Sequence, residues 1–171
     1  MARRIEHSAD YSSTPAAVHA ALTDPAYWQA RITSVGGPGA EIDSLDGTDG
    51  GIEVRLTQPI AAEHLPSIIT KIKSGDLVVE RAETWGALDG AAASGGFTAV
   101  VAGTPIRMRG TYSLSTHSLS GDTTTCTIHT TGQAQVSVPI IGGKIEQIIA
   151  DNITRLLDIE QHFTQQWMAE H

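Results

Sequence analysis

Residues 3–11 alternate, with Ile5, His7, Ala9 and Tyr11 on one side and Arg4, Glu6, Ser8 and Asp10 on the other. That period of two predicts a half-buried strand. Thr14-Pro15 and Asp24-Pro25 each put an N-cap oxygen before a proline suited to the first helical turn, predicting short helices at about 15–23 and 25–31. Val18, Leu22, Tyr27 and Trp28 supply their buried side. The glycine- and acid-rich stretch 36–51 reads as loop around a short strand at Glu41–Leu45, closed by a hairpin-like turn at Asp49-Gly50-Gly51. Ile52, Val54 and Leu56 then alternate with Glu53, Arg55 and Thr57, and Pro59 is expected to end that strand. Pro66 opens a helical turn to about Lys73, which Ser74-Gly75-Asp76 closes.

Four more strands are predicted, at about 77–86, 96–102, 106–117 and 123–138. In the third, Ile106, Met108, Tyr112 and Leu114 face one way. In the fourth, Cys126, Ile128, Ala134, Val136 and Val138 share a face, and Ser120-Gly121-Asp122 makes the turn between the two. The last element is a helix from about Ile141 to Trp167, free of internal proline. Ile141, Ile145, Ile148, Ile149, Leu156, Ile159, Phe163 and Trp167 fall on one stripe at roughly 100° per residue. At roughly 1.5 Å per residue it spans about 40 Å, a length that only a broad sheet can cover in a chain of this size. The order predicts an α+β domain built on antiparallel hairpins.

The opening strand, the segment from Thr14 to Pro25 with Trp28, and the closing amphipathic helix resemble the START and birch-pollen-allergen-like superfamily. Val138-Pro139-Ile140-Ile141-Gly142-Gly143-Lys144-Ile145-Glu146 resembles an uncharacterised bacterial branch of it. The resemblance covers essentially the whole chain, residues 1–171, as one domain. It implies the helix-grip fold, a seven-stranded curved antiparallel sheet around the C-terminal helix with two short helices after strand 1. Lipid and hormone binders, polyketide cyclases or dehydratases and co-chaperones share that fold, so the resemblance carries no catalytic motif onto these positions.

Composition narrows the partners. At 171 residues the chain suits one core. A net charge of −8 repels phosphate backbones and excludes nucleic acid as an expected partner. No polybasic run and no long apolar span point to stable membrane insertion. Cys126 is the one cysteine, and the N-terminus runs straight into polar residues, so a cytoplasmic home is expected. The seven histidines lack metal-ligand spacing, so no metal or other cofactor is expected. Gly142-Gly143-Lys144-Ile145 fails the phosphate-loop pattern and reads as a tight strand-to-helix bend.

What remains are polar residues on apolar faces. Asn152 near the middle of the helix stripe reads either as a hydrogen-bond group orienting a ligand or as an internally satisfied amide. His7 reads as a core residue with a partner, or alternatively as a general base. Arg81 and Glu83 alternate with Leu77, Val79 and Trp85. The cost of burying both charges favours the opposite face of that strand, with Val78 and Ala82 inside. Arg107, Arg109 and His129 are expected in solvent.

The first expectation is therefore a binding or carrier protein for a small-to-medium hydrophobic ligand, lipid-, isoprenoid- or polyketide-like. Ile149, Leu156, Ile159, Phe163, Met108, Tyr112 and Trp85 would form the walls, with Asn152 and His7 as polar anchors. A cyclase, aromatase or hydratase using Glu83, His7 or Tyr112 stays open. So does a protein-interaction module, with the chain a monomer or a homodimer.

Overall fold

The computed structural model describes residues 2–117 and 125–171, so the expected turn at Ser120-Gly121-Asp122 lies outside the described residues. Strand β1 (Ala2–Tyr11) is followed by helices α1 (Pro15–Leu22) and α2 (Pro25–Val35). Strands β2 (Glu41–Thr48) and β3 (Gly51–Ile60) come next. A 3-10 turn at Ala62–His64 leads into the short helix α3 (Ser67–Thr70). Strands β4 (Leu77–Trp85), β5 (Ala93–Val101), β6 (Ile106–His117) and β7 (Thr125–Val136) precede the long helix α4 (Gly142–Glu170). The sheet order is β1-β7-β6-β5-β4-β3-β2, every neighbouring pair antiparallel. This is the α+β arrangement that the pattern and the resemblance both lead one to expect.

The two props form as their caps dictate. The Ala17 amide donates to Thr14 Oγ1 at 3.2 Å and the Ala26 amide to Asp24 Oδ1 at 2.8 Å. Trp28 Nε1 donates to the Leu22 carbonyl at 2.8 Å, which fixes the corner between α1 and α2. Helix α2 continues four residues past its expected end at 31. The packing of Ile32 on the core outweighs the modest helix propensity of the Ile32-Thr33 pair.

Pro59 does not end β3, which runs on to Ile60 with Pro59 opposite Val78. The Val78 carbonyl accepts from Ala102 N and therefore points toward β5. In an antiparallel pair the opposite residue then turns its backbone groups away from β4. On that far side β2 has already finished, at Glu41 opposite Thr57, so the missing N–H costs no ladder bond.

Helix α4 turns most of the expected apolar stripe inward, but Ile159 is left out and polar residues take deeply buried positions beside the stripe. Ile145, Glu146, Ala150, Leu157, Glu160 and Thr164 are buried, while Ile159 is 54% exposed. In the second half the most deeply buried positions are Leu157, Glu160 and Thr164, while Leu156 and Phe163 are half-buried. The reason is chemical: Thr164 Oγ1 bonds the Tyr27 hydroxyl at 2.8 Å, and Glu160 has cationic partners beneath it. At the other end of the helix, Glu146 Oε1 accepts from the Val136 amide at 2.9 Å and ties α4 to the last residue of β7.

The core has two main parts and a smaller one at Ile5, Ala134 and Ala150. Of the main parts, one gathers Tyr27, Trp28, Val54, Trp85, Leu114 and Ile128, and the other Ile69, Leu77, Val101, Ile106, Val136 and Ile145. Between them the sheet is thin. Phe97, Gly110 and Gly132 lie side by side across β5, β6 and β7. A Cβ on Gly110 would stand 2.5 Å from the Thr131 carbonyl oxygen and closer still to the Phe97 ring, and one on Gly132 would stand 3.0 Å from the same ring. The phenyl ring thus lies flat over two glycines instead of standing up into the interior. Gly110→Val should cost about 1–3 kcal/mol by overpacking, read as a lower urea midpoint at constant slope. An unchanged midpoint would show that the ring does not occupy that space.

Candidate functional site

The thin region opens into a cavity of about 360 Å³ between sheet and helix. Phe97, Ala99 and Met108 line it from the sheet, and Ile149 and Leu156 from α4. The segment after β3 closes one side with Leu65 and Ile69. The lining is overwhelmingly apolar. Asn152 and His64, both solvent-exposed, reach it at its rim, while Arg81 and Tyr112 form its inner wall.

That wall belongs to a four-charge cluster. The side chains of Arg31, Arg81, Glu83 and Glu160 are 8%, 9%, 2% and 11% exposed, so the charged face of β4 points inward. The expectation that Val78 and Ala82 would take the interior is overturned. Burial of Arg81 and Glu83 looked expensive because only one cation and one anion were in view. Helix α2 adds Arg31 and α4 adds Glu160, giving two guanidinium groups for two carboxyl groups. Arg81 meets Glu83 at 2.6 Å and Glu160 at 2.9 and 3.3 Å. Arg31 meets Glu83 at 3.1 Å and also contacts Glu160, with its guanidinium carbon 4.5 Å from the centre of the Trp28 ring. Tyr112 donates its hydroxyl to Glu83 Oε2 at 3.3 Å.

The electrostatics follow from the geometry. Burial alone would raise the Glu160 carboxyl, but Arg31 and Arg81 outweigh it and hold the group down at about 2. The two guanidinium groups are disfavoured by desolvation, yet both carboxyl groups push them above the ordinary arginine value. The Tyr112 phenol is pushed up, first by burial and then by Glu83, and stays protonated at neutral pH.

Five of the nine residues expected at a ligand site line the cavity: Asn152, Ile149, Leu156, Tyr112 and Met108. Asn152 stands at the rim rather than deep on the helix face. Trp85 lies behind Tyr112, stacked on it at 5.3 Å. Phe163 packs on Tyr27 at 5.6 Å, and Ile159 faces solvent. His7 donates to or accepts from Asp158 at 2.7 Å and borders a separate chamber of about 50 Å³ beyond the charge cluster, with Tyr11 and Thr130. Arg31 and Glu160 were not anticipated. The available signal was the Arg81–Glu83 pair itself, since two charges on one inward face require partners of both signs.

Residues 6–168 match the family described as protein of unknown function (DUF2505). The chain belongs to that family. An uncharacterised protein of Mycobacterium tuberculosis (strain ATCC 25618 / H37Rv) is 34% identical over 176 aligned positions, which take in 100% of this chain and 99% of that one. An uncharacterised protein of Mycobacterium bovis is similar to the same extent. Among solved structures, norcoclaurine synthase from Thalictrum flavum has a TM-score of 0.61 at 14% identity, over 100% of this chain and 88% of that one. The Zhui aromatase/cyclase from Streptomyces sp. R1128 has a TM-score of 0.58 at 12% identity, over 99% and 94%. A protein from Rhizobium leguminosarum has 0.60 at 11%, over 100% and 98%. At such identities the likeness establishes the helix-grip fold for this DUF2505 member.

Arg31→Met should cost about 3–5 kcal/mol in urea denaturation, because it leaves two buried carboxyl groups facing one guanidinium. The double variant Arg31→Met/Glu160→Gln should cost less than the sum of its parts; strict additivity would show that the groups do not act as one cluster. The depressed Glu160 carboxyl contributes stability that is complete above about 4.5 and is lost as pH falls toward about 2. Glu160→Gln should accordingly flatten the acid limb of stability against pH, and an unaltered limb would exclude Glu160 as its source.

Proposed function

We propose that this protein binds and carries a small-to-medium hydrophobic molecule in the cavity between the sheet and α4. The observation that carries the proposal is the cavity itself, about 360 Å³ bounded almost entirely by apolar side chains. At roughly 30 Å³ per water-sized volume, it accepts about a dozen non-hydrogen atoms, the scale of a medium-chain acyl, monoterpenoid or bicyclic aromatic compound. Its walls give binding energy by burial, at about 25 cal/mol per Å² before ordering costs.

Carriage is favoured over catalysis because the polar groups of the inner wall are already engaged. Arg81 is paired with two carboxyl groups, and the Tyr112 phenol is held protonated beside Glu83. A general base needs an available lone pair and a pKa near neutrality, and neither group offers both. A protein-docking role has less support. Among the described residues the large exposed apolar side chains are Ile140 and Ile159. They stand 19 positions apart along α4 and its entry, roughly 28 Å at the helical rise, so they do not form one patch. Also among the described residues, no helix is long and apolar enough to cross a membrane. Cytoplasmic residence forms part of the same proposal, on the strength of the lone buried Cys126.

Native mass spectrometry of freshly purified protein should show an added mass that denaturation releases as a lipid-like compound. Ala99 is buried and lines the cavity, so Ala99→Phe should fill the space, keep the fold and abolish that added mass. Retention of the same compound by Ala99→Phe would place its binding elsewhere and sink the proposal.

A further inference from the structure

The cavity is apolar along most of its length and polar at its inner wall, and that asymmetry bears on what it holds. Arg81 is the one charged side chain facing this space among the described residues, apart from the exposed His64 at the rim when protonated. Its contacts to Glu160 and Glu83 all run through the terminal nitrogens. A guanidinium has five N–H donors, and two of them make hydrogen bonds here, both to Glu160. The Nε–H makes no hydrogen bond among the described residues. In an apolar enclosure, an unused donor on a charged group is a strong point of attraction for an oxygen atom.

The sign of the partner follows from the rest of the cluster. Two guanidinium groups already face two carboxyl groups, and Glu160 stays ionised down to strongly acidic pH. A ligand carboxylate at Arg81 would bring a third anion beside Glu83 and Glu160 with no cation left to match it. It would also lose its own hydration on entry. A cationic end would face Arg81 directly. A neutral oxygen takes the spare N–H and leaves the charge balance untouched.

We infer that the ligand is neutral and carries a hydrogen-bond-accepting oxygen, of a ketone, ester or ether, at its buried end, with Arg81 as the donor. This inference rests on the carrier reading above and specifies its ligand class. It orients the molecule as well: the oxygen lies inward, and the hydrocarbon body extends past Phe97 and Met108 toward the rim at Asn152.

The test uses three probes with one aromatic body: 2-acetonaphthone, 2-naphthoate and 2-ethylnaphthalene. Each is titrated into the full-length protein at neutral pH by calorimetry or by its own fluorescence. The ketone should bind at least about tenfold more tightly than the other two, as one added charge-assisted hydrogen bond allows. Its carbonyl stretch, read by difference infrared spectroscopy, should fall below its value in hexane. Equal or tighter binding of 2-naphthoate would overturn the neutral-ligand inference while leaving the carrier reading intact. Equal binding of 2-ethylnaphthalene, or an unshifted carbonyl stretch, would overturn the donor. Failure of all three to bind would overturn the carrier reading and this inference with it. The double variant Arg81→Met/Glu160→Gln keeps one guanidinium against one carboxyl group. It should lose the preference for the ketone over 2-ethylnaphthalene. A preference that survives in the variant would assign the donor to another group.

Discussion

The architecture depends on the neutralisation of four charges, Arg31, Arg81, Glu83 and Glu160, in the space between sheet and helix. Each group alone would be expelled from that interior, since the desolvation of one unpaired ion amounts to several kcal/mol. Together they join three elements distant in sequence, α2, β4 and α4, at one point. The cluster selects among ways of packing α4 more sharply than apolar burial does. Sliding or rotating the helix by one residue would still bury aliphatic side chains, but it would strand Glu160 away from both guanidinium groups. That requirement explains why Glu160 and Thr164 take deeply buried positions while the more hydrophobic Ile159 stays in solvent.

A second constraint accounts for the empty space. A sheet-and-helix sandwich fills its interior wherever facing side chains are large enough to meet. Here the facing positions are small at the decisive places. Gly110 and Gly132 let Phe97 lie flat, and Ala99 stands opposite Met108 without reaching the helix. Hydrophobic mass is displaced to the two ends of the molecule, where the tryptophans and the isoleucine-rich cluster pack densely. The charge cluster then separates the large apolar chamber from the small one lined by His7, Tyr11 and Tyr27.

Most of the fold was legible in the sequence because it is written in short-range signals. Thr14-Pro15 and Asp24-Pro25 announce the props through local capping chemistry. The period-two alternation of β1 and β6 sets their faces without reference to anything distant. The misreadings all come from partners remote in the chain. Pro59 read as a strand end because the early finish of β2 is a property of the register. Arg81 and Glu83 read as outward because Arg31 lies 52 residues from Glu83 and Glu160 lies 79 residues from Arg81. Ile159 read as a wall because an apolar stripe on a long helix has no way to signal that a glutamate beside it holds the inward position. For the site, cavity-lining Met108, Tyr112, Ile149 and Leu156 were accessible from periodicity. The charged part of the inner wall, Arg81, was accessible only from pairing.

The same distinction bears on how function is read from fold. Proteins sharing this architecture at 11–14% identity include a synthase and an aromatase/cyclase by name, and this chain matches them over nearly its whole length. What such a match transfers is the backbone: a curved sheet, a long helix and a space between them. It does not by itself transfer the groups that face the space. A reaction in such a cavity requires a group that changes its protonation or bonding with the substrate. In this chain the inward charged groups of the wall are paired with one another. Such pairing resists turnover chemistry, whereas a donor left over from it remains able to orient a guest. On the proposal of carriage, the chemistry of the wall, rather than the shape of the fold, is what would set this protein apart from the enzymes that share its architecture.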